Sequence, residues 1–161
     1  LESGLGSRHT DFGHTIKALW MIERTGALLG DVKLSSWARE RMPKVFARAF
    51  LPRDGCWASG LRRDGSIDAG VTWWIAAELD QAAATLALTD RRYTGYLEKT
   101  YACWLDRLVD RENGEVWSWI DLDNAARRGA KQHLWKNGYH SAEHALVGYL
   151  TAQATPRGRA P

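Results

Sequence analysis

Three dipeptides limit what this chain can fold into. Asp54-Gly55, Asp64-Gly65 and Asn113-Gly114 are pairs whose residues tolerate the positive φ of tight hairpin turns. Each stops any helix that would otherwise run through it. Between them lie long segments whose apolar residues recur at helical spacing. The pattern is helix pairs separated by hairpin-bearing loops: an all-α body of about five helices, forming an open arc of a helical toroid.

The spacing predicts a first helix over residues 11–29, with Thr10 or Asp11 as N-cap, an apolar face of Ile16, Leu19, Trp20 and Leu28, and Gly30-Asp31 at its end. A second helix is expected over 34–50, with Trp37, Val45 and Phe46 facing inward and Pro43 either kinking or breaking it. Residues 52–70 hold the two Asp-Gly turns between brief strands, 71–88 a third helix and 90–108 a fourth. Residues 110–123 read as another hairpin, with Trp117 and Trp119 on one strand face. Residues 1–9 are expected to be a flexible lead-in and 154–161 a disordered tail, leaving 10–153 as the folded body.

Composition fits one modest core: 161 residues, 45% hydrophobic and 25% charged. A net charge of +3, with no Lys/Arg run resembling a phosphate track, argues against nucleic acid. No apolar run reaches membrane-spanning length and no leader is visible, so no membrane partner and a cytoplasmic location are expected. Cys56 and Cys103 stand far apart with no CxxC pair, and each is read as a buried thiol rather than part of a disulfide or metal knuckle. Nine tryptophans suit either a core or a sugar-stacking wall.

The chemistry concentrates in residues 135–149, WKNGYHSAEHALVGY. His140, Glu143 and His144 share one helical face by their i, i+3, i+4 spacing, while Ala145, Leu146, Val147 and Leu150 offer apolar surface for packing. His140 to His144 also spells H-x-x-E-H, the inverted zinc-hydrolase signature. That site needs a third ligand, usually an acidic residue downstream, and no carboxylate side chain follows this helix. An upstream ligand such as Glu78 is the remaining option, and no metal is expected. His144, with apolar neighbours, is read as a hydrogen-bonded structural residue; His9 and His133 fall in loops.

Four segments, in order, carry a family likeness. DFGHTIKALWMI (11–22) is similar to a Gly-His-x-x-Glu helix start, TWWIAAE (72–78) to a Trp-Trp-x-Gln-Ala-Glu helix, GEVWSWID (114–121) to a Gly-Glu-Trp-x-Trp hairpin, and WKNGYHSAEHAL (135–146) to a Trp-Lys-x-x-Tyr-His segment. With these the chain resembles the C-terminal portion of the N-acylglucosamine 2-epimerase superfamily, which includes cellobiose 2-epimerases and mannose isomerases. The resemblance implies part of an (α/α)6 toroid and proton transfer at C2 of a reducing sugar, with no cofactor. It further implies His140 and His14 as the acid/base pair, Glu78 orienting the sugar or a histidine, and Trp73, Trp119, Trp135 and Tyr139 as an aromatic wall. Imidazole suits such work because its ordinary pKa lies near neutrality.

The sequence departs from the family at three places. Lys17 stands where the family has Glu, Glu143 where many members have Arg, and Ala76 where they have Gln. Lys17 and Glu143 are therefore expected to pair across the site with reversed polarity. The partners expected are a small sugar and either a homo-oligomeric copy or a missing N-terminal half, since a complete toroid needs about twice this many helices; the opening on Leu1 rather than Met fits a piece of a longer chain. The competing reading is a carbohydrate-binding toroid domain that has lost its chemistry, and Lys17 is the residue favouring it.

Overall fold

The computed structural model describes residues 10–124 and 126–154. The lead-in over 1–9 and the tail from 155 lie outside them. The elements are β1 (Thr10–Asp11), α1 (Phe12–Leu29), α2 (Val32–Arg39), α3 (Met42–Ala49), β2 (Phe50–Leu51), β3 (Cys56–Trp57), β4 (Gly60–Leu61), β5 (Ile67–Asp68), β6 (Val71–Thr72), α4 (Trp73–Ala87), α5 (Thr94–Cys103), β7 (Trp119–Ile120), β8 (Arg127–Arg128) and α6 (Tyr139–Ala154). With α2 and α3 counted as one interrupted helix, this is an arc of an (α/α)6 toroid with short strands in its loops.

Helix α4 is the centre of the arc and packs against α1, α5 and α6. It is buried nearly all round, its polar Glu78, Asp80 and Gln81 included. A buried carboxylate is costly unless paired, and the helices around α4 supply the pairs. Asp11 caps α1 by accepting from the His14 amide at 2.7 Å, and Gly30 closes the helix in the left-handed region at φ 70°.

The helix expected over 34–50 is broken at Glu40-Arg41, with Pro43 in the first turn of α3, where its missing N–H costs nothing. Leu28 and Trp37 are exposed rather than inward. The reason lies in how α2 crosses α1. A Cβ on Gly26 would meet the Ser35 backbone nitrogen at 2.7 Å, and buried Glu23 accepts from Arg39 at 2.8 Å. These two residues take the inward positions, so Leu28 points away. Trp37 instead carries the Arg41 guanidinium 4.1 Å over its ring.

Both Asp-Gly turns form, with Gly55 and Gly65 at φ 66° and 83°, closing β2–β3 and β4–β5. The hairpin expected over 110–123 is reduced to one bridge, Val109 to Val116. Trp119 and Ile120 pair instead with Thr72 and Val71 on one side and Arg128 and Arg127 on the other. The Trp73 amide draws this strand in by donating to Ser118 O at 3.2 Å, which ties it to the start of α4.

The cysteines are not free thiols. Hairpin β2–β3 lays Cys56 against the end of α5, and it forms a disulfide with Cys103 across 47 residues, with Cα atoms 5.5 Å apart. The apolar face read for the last helix is also largely open: Ala145, Leu146 and Leu150 are exposed, Val147 is half-buried, and His144 is the one buried residue of α6. Among the described residues no helix is long and apolar enough to cross a membrane.

Candidate active site

The first turns of α1, α4 and α6 converge. Gly13 is why α1 and α4 can approach here: a Cβ at this position would lie 2.3 Å from Trp74 Cζ3. With only hydrogen there, the Trp74 indole lies beside the His14 ring, centroids 4.6 Å apart. The same indole meets the His140 ring at 5.8 Å. The two histidines therefore share one tryptophan.

Each histidine also has a carboxylate on Nδ1. His140 Nδ1 lies 2.9 Å from Glu78 Oε1, and His14 Nδ1 lies 2.7 Å from Asp11 Oδ2. An ionised carboxylate only accepts, so in both rings Nδ1 carries a hydrogen and donates it, which leaves Nε2 as the nitrogen that can take up or give up a working proton. The environments differ. Glu78 is buried and His140 half-buried, whereas the His14 side chain is largely exposed and held by the carboxylate that caps its own helix.

Glu78 links three helices. Its Oε2 lies 2.9 Å from Lys17 Nζ, and the same ammonium donates to Glu143 Oε2 at 3.0 Å. The reversed-polarity pair thus forms, with Glu78 as a third member. Burial pulls the Lys17 ammonium down, but its hydrogen bonds to Glu78 and Glu143 and their charges outweigh this and hold its pKa above the ordinary lysine value. Lys17 also stands 4.9 Å over Trp20 and 5.7 Å over Tyr139. Tyr139 meets His140 edge-on at 4.9 Å, and burial raises its phenol pKa.

The other aromatic candidates fall in different places. Trp73 is buried, edge-on to His140 at 6.4 Å and to His133 at 5.8 Å. Trp119 is half-buried on β7, its indole across Gly70, where a Cβ would lie 2.4 Å from Nε1. Trp135 stands 85% exposed at the tip of the turn bridged by His133 and Lys136. Trp74 was not singled out as a site residue by sequence, yet it touches both histidines. Lys136, also unassigned, is buried: its ammonium donates to Val116 O and Lys131 O, both at 2.5 Å. Burial pulls its pKa down.

A cleft of about 520 Å³ opens beside His14, bounded by Asp11, Thr72 and Trp74 on one wall and by Ser59, Arg62 and Arg63 on another. The H-x-x-E-H pattern does not converge on a metal position. His140 turns to Glu78, while His144 Nε2 turns to Asp80 Oδ2 at 3.0 Å. Among the described residues no group of three His, Cys, Asp or Glu could hold a metal ion.

No family model matches the sequence. The chain is 26% identical over 144 residues to the cellobiose 2-epimerase of Eubacterium cellulosolvens and 30% over 141 residues to that of Bacteroides fragilis. These alignments cover 85% and 81% of this chain and 35% of each relative, so the chain spans about a third of their length. The solved structure of cellobiose 2-epimerase from Spirochaeta thermophila superposes with a TM-score of 0.78 at 29% identity, covering 89% of this chain and 37% of that one.

Proposed function

The chain belongs to the N-acylglucosamine 2-epimerase superfamily, and from that premise we propose that it carries the proton-transfer residues of a sugar epimerase or aldose–ketose isomerase. The supporting observation is the matched pair of imidazoles. His14 and His140 each donate Nδ1–H to a carboxylate and flank Trp74, which leaves Nε2 in each ring as the nitrogen for chemistry.

In the opened sugar the C1 carbonyl acidifies the C2 hydrogen. His140 Nε2 removes that proton, and the C2–H electron pair moves into a C1–C2 double bond with charge on O1. The Glu78 carboxylate stabilises the imidazolium that results, as a carboxylate on Nδ1 does for any catalytic histidine. Return of a proton to C2 from the opposite face, by a His14 that enters the step as imidazolium with hydrogen on Nε2 as well as Nδ1, restores the C1 carbonyl and gives the epimer. Delivery to C1 instead, with the O2 proton passing to O1, gives the ketose. Lys17 Nζ, 2.9 Å from Glu78 Oε2, holds that carboxylate in place, so Glu78 serves as orienter rather than base. Trp74 offers an apolar face against which the sugar's C–H groups can lie.

The test is solvent deuterium wash-in at C2, followed by NMR over a panel of reducing mono- and disaccharides. Wild type is compared with His140→Ala and His14→Ala after circular dichroism shows all three folded. Exchange by wild type that is lost in His140→Ala is expected, and the labelled product distinguishes epimer from ketose. Undiminished exchange in His140→Ala removes that residue from the mechanism. A folded wild type that binds sugar without exchange favours the carbohydrate-binding reading.

A further inference from the structure

Helices α4 and α6 face each other through two carboxylate–imidazole pairs, one turn apart on α6. Glu78–His140 belongs to the proposed site. Asp80–His144 takes no part in it: the two residues are 1% and 4% exposed, too deep to meet a substrate. Yet this is the most heavily partnered polar position in the arc's centre. Asp80 Oδ1 accepts from Trp57 Nε1 at 2.7 Å and from Thr100 Oγ1 at 2.6 Å, while Oδ2 takes His144 Nε2 at 3.0 Å. The His144 ring lies against Trp104 at 4.2 Å and Tyr101 at 5.2 Å. Trp57 follows Cys56, and Thr100, Tyr101 and Trp104 lie within one turn of Cys103, so the disulfide fastens the two walls of this cage together.

Further along α6, Val147, Gly148 and Thr151 are half-buried, with Gly148 close enough to α5 that a Cβ would lie 2.6 Å from Tyr101 Oη. Its large apolar side chains Leu146, Tyr149 and Leu150 face solvent, and His144 is its one fully buried residue. No large apolar side chain of α6 is fully buried to fix its rotation, so the polar contacts of its first two turns are placed to set it. We infer that Asp80–His144 is a positioning pair, which sets the rotation of α6 so that His140 Nδ1 meets Glu78 and Glu143 meets Lys17. The leverage follows from helix geometry. A side-chain atom about 6 Å from the axis moves about 1 Å for each 10° of rotation, and about 1 Å of misplacement can cost about 100-fold in rate. The catalytic arm of this inference rests on the reading of His140 given above; the spectroscopic arm does not.

The experiment uses the full 161-residue chain labelled with ¹⁵N-histidine, with His144→Leu and His144→Gln compared at a temperature where all are folded. Glutamine's amide can donate to Asp80 in place of the imidazole; leucine cannot. Long-range ¹H–¹⁵N spectra report which ring nitrogen carries hydrogen, and the His140 signal is assigned by its loss in His140→Ala. The expected wild-type pattern is Nδ1–H for His140 and Nε2–H for His144. In His144→Leu the His140 Nδ1–H signature disappears and kcat for C2 exchange falls about 10- to 100-fold with KM within about two-fold; in His144→Gln both are largely kept. A folded His144→Leu protein with the His140 signature and kcat unchanged overturns the inference and leaves His144 purely structural. If the wild type shows no exchange, the activity reading fails, and the imidazole signature alone decides the pair. If His144→Leu does not fold, Thr100→Val loosens Asp80 without touching α6. A partial loss of the His140 signature then supports the inference, and an unchanged signature overturns it.

Discussion

One ammonium serving two carboxylates makes an asymmetric stability prediction for Lys17→Met and Glu143→Gln. Lys17 Nζ is 2.9 Å from Glu78 and 3.0 Å from Glu143, but the two acids are unequally placed, with side chains 3% and 24% exposed. Removing Lys17 leaves the Glu78 charge buried with only the His140 N–H for company, a loss of about 3–5 kcal/mol. Removing the Glu143 charge leaves Lys17 still paired to Glu78 and breaks a contact water already screens, a loss of about 1 kcal/mol. In the double variant Glu143→Gln removes a partner with nothing left to hold, so the total stays near that of Lys17→Met alone. The cycle should show coupling of about 1 kcal/mol. Urea unfolding followed by circular dichroism at neutral pH measures all four proteins.

The same pair predicts the pH trend. Because the Lys17 pKa is raised on folding, its contribution is complete below the ordinary lysine value and fades as pH climbs through the raised one. The gap between wild type and Lys17→Met should narrow at that alkaline end. The reversal Lys17→Glu/Glu143→Lys should recover only part of what Lys17→Glu loses, because Glu78 then faces a second carboxylate. Equal single losses that simply add would refute the shared-ammonium argument.

Two further perturbations follow from the packing. The Cys56–Cys103 bridge closes 47 residues, so Cys56→Ala/Cys103→Ala should lose about 4 kcal/mol by loop-closure entropy; intact mass should show the oxidised chain lighter by two hydrogens than the reduced one, and equal masses would refute the bridge. Gly13→Ala would place a Cβ 2.3 Å from Trp74 and 2.9 Å from Ile75. Alanine alone favours a helix by up to about 1 kcal/mol, but the clash should reverse that sign by about 1–3 kcal/mol and shift the indole both histidines touch, so melting temperature and C2 exchange should fall together; a more stable variant with unchanged exchange would refute the close approach.

What the sequence reveals depends on how local each feature is. The cap at Asp11, the stop at Gly30 and the two Asp-Gly turns are set within a few residues, and all appear where the pattern puts them. The pairing of Cys56 with Cys103 depends on a hairpin meeting the end of a helix 47 residues on, which spacing does not encode. Strands of two residues carry almost no register signal, so Trp119 could be read as hairpin when it pairs with Thr72 and Arg128. Leu28, Trp37 and Leu146 read as inward in the sequence because they are apolar. Which side of a helix is inward is decided by what crosses it, at Gly26 for α1 and by α4, Lys17 of α1 and Tyr101 of α5 for the start of α6.

The choice between Trp73 and Trp74 turns on the same point. A helix with one wet face shows its phase in the alternation of polar and apolar residues, and α4 has no such face: Glu78, Asp80 and Gln81 are as buried as its alanines. Its phase is fixed instead by where its charges find partners. Glu78 must reach Lys17 on α1 and His140 on α6, while Asp80 must reach His144, Trp57 and Thr100. That orientation puts Trp74, not the buried Trp73, against both histidine rings. The two charge departures at positions 17 and 143 then become one arrangement rather than two substitutions. Glu78 lies beside the ammonium and in contact with His140, so the sign at position 17 bears directly on the residue that orients His140. A lysine there leaves the orienting carboxylate paired, so under the proposed mechanism Lys17 supports the acid/base histidine instead of marking a loss of chemistry.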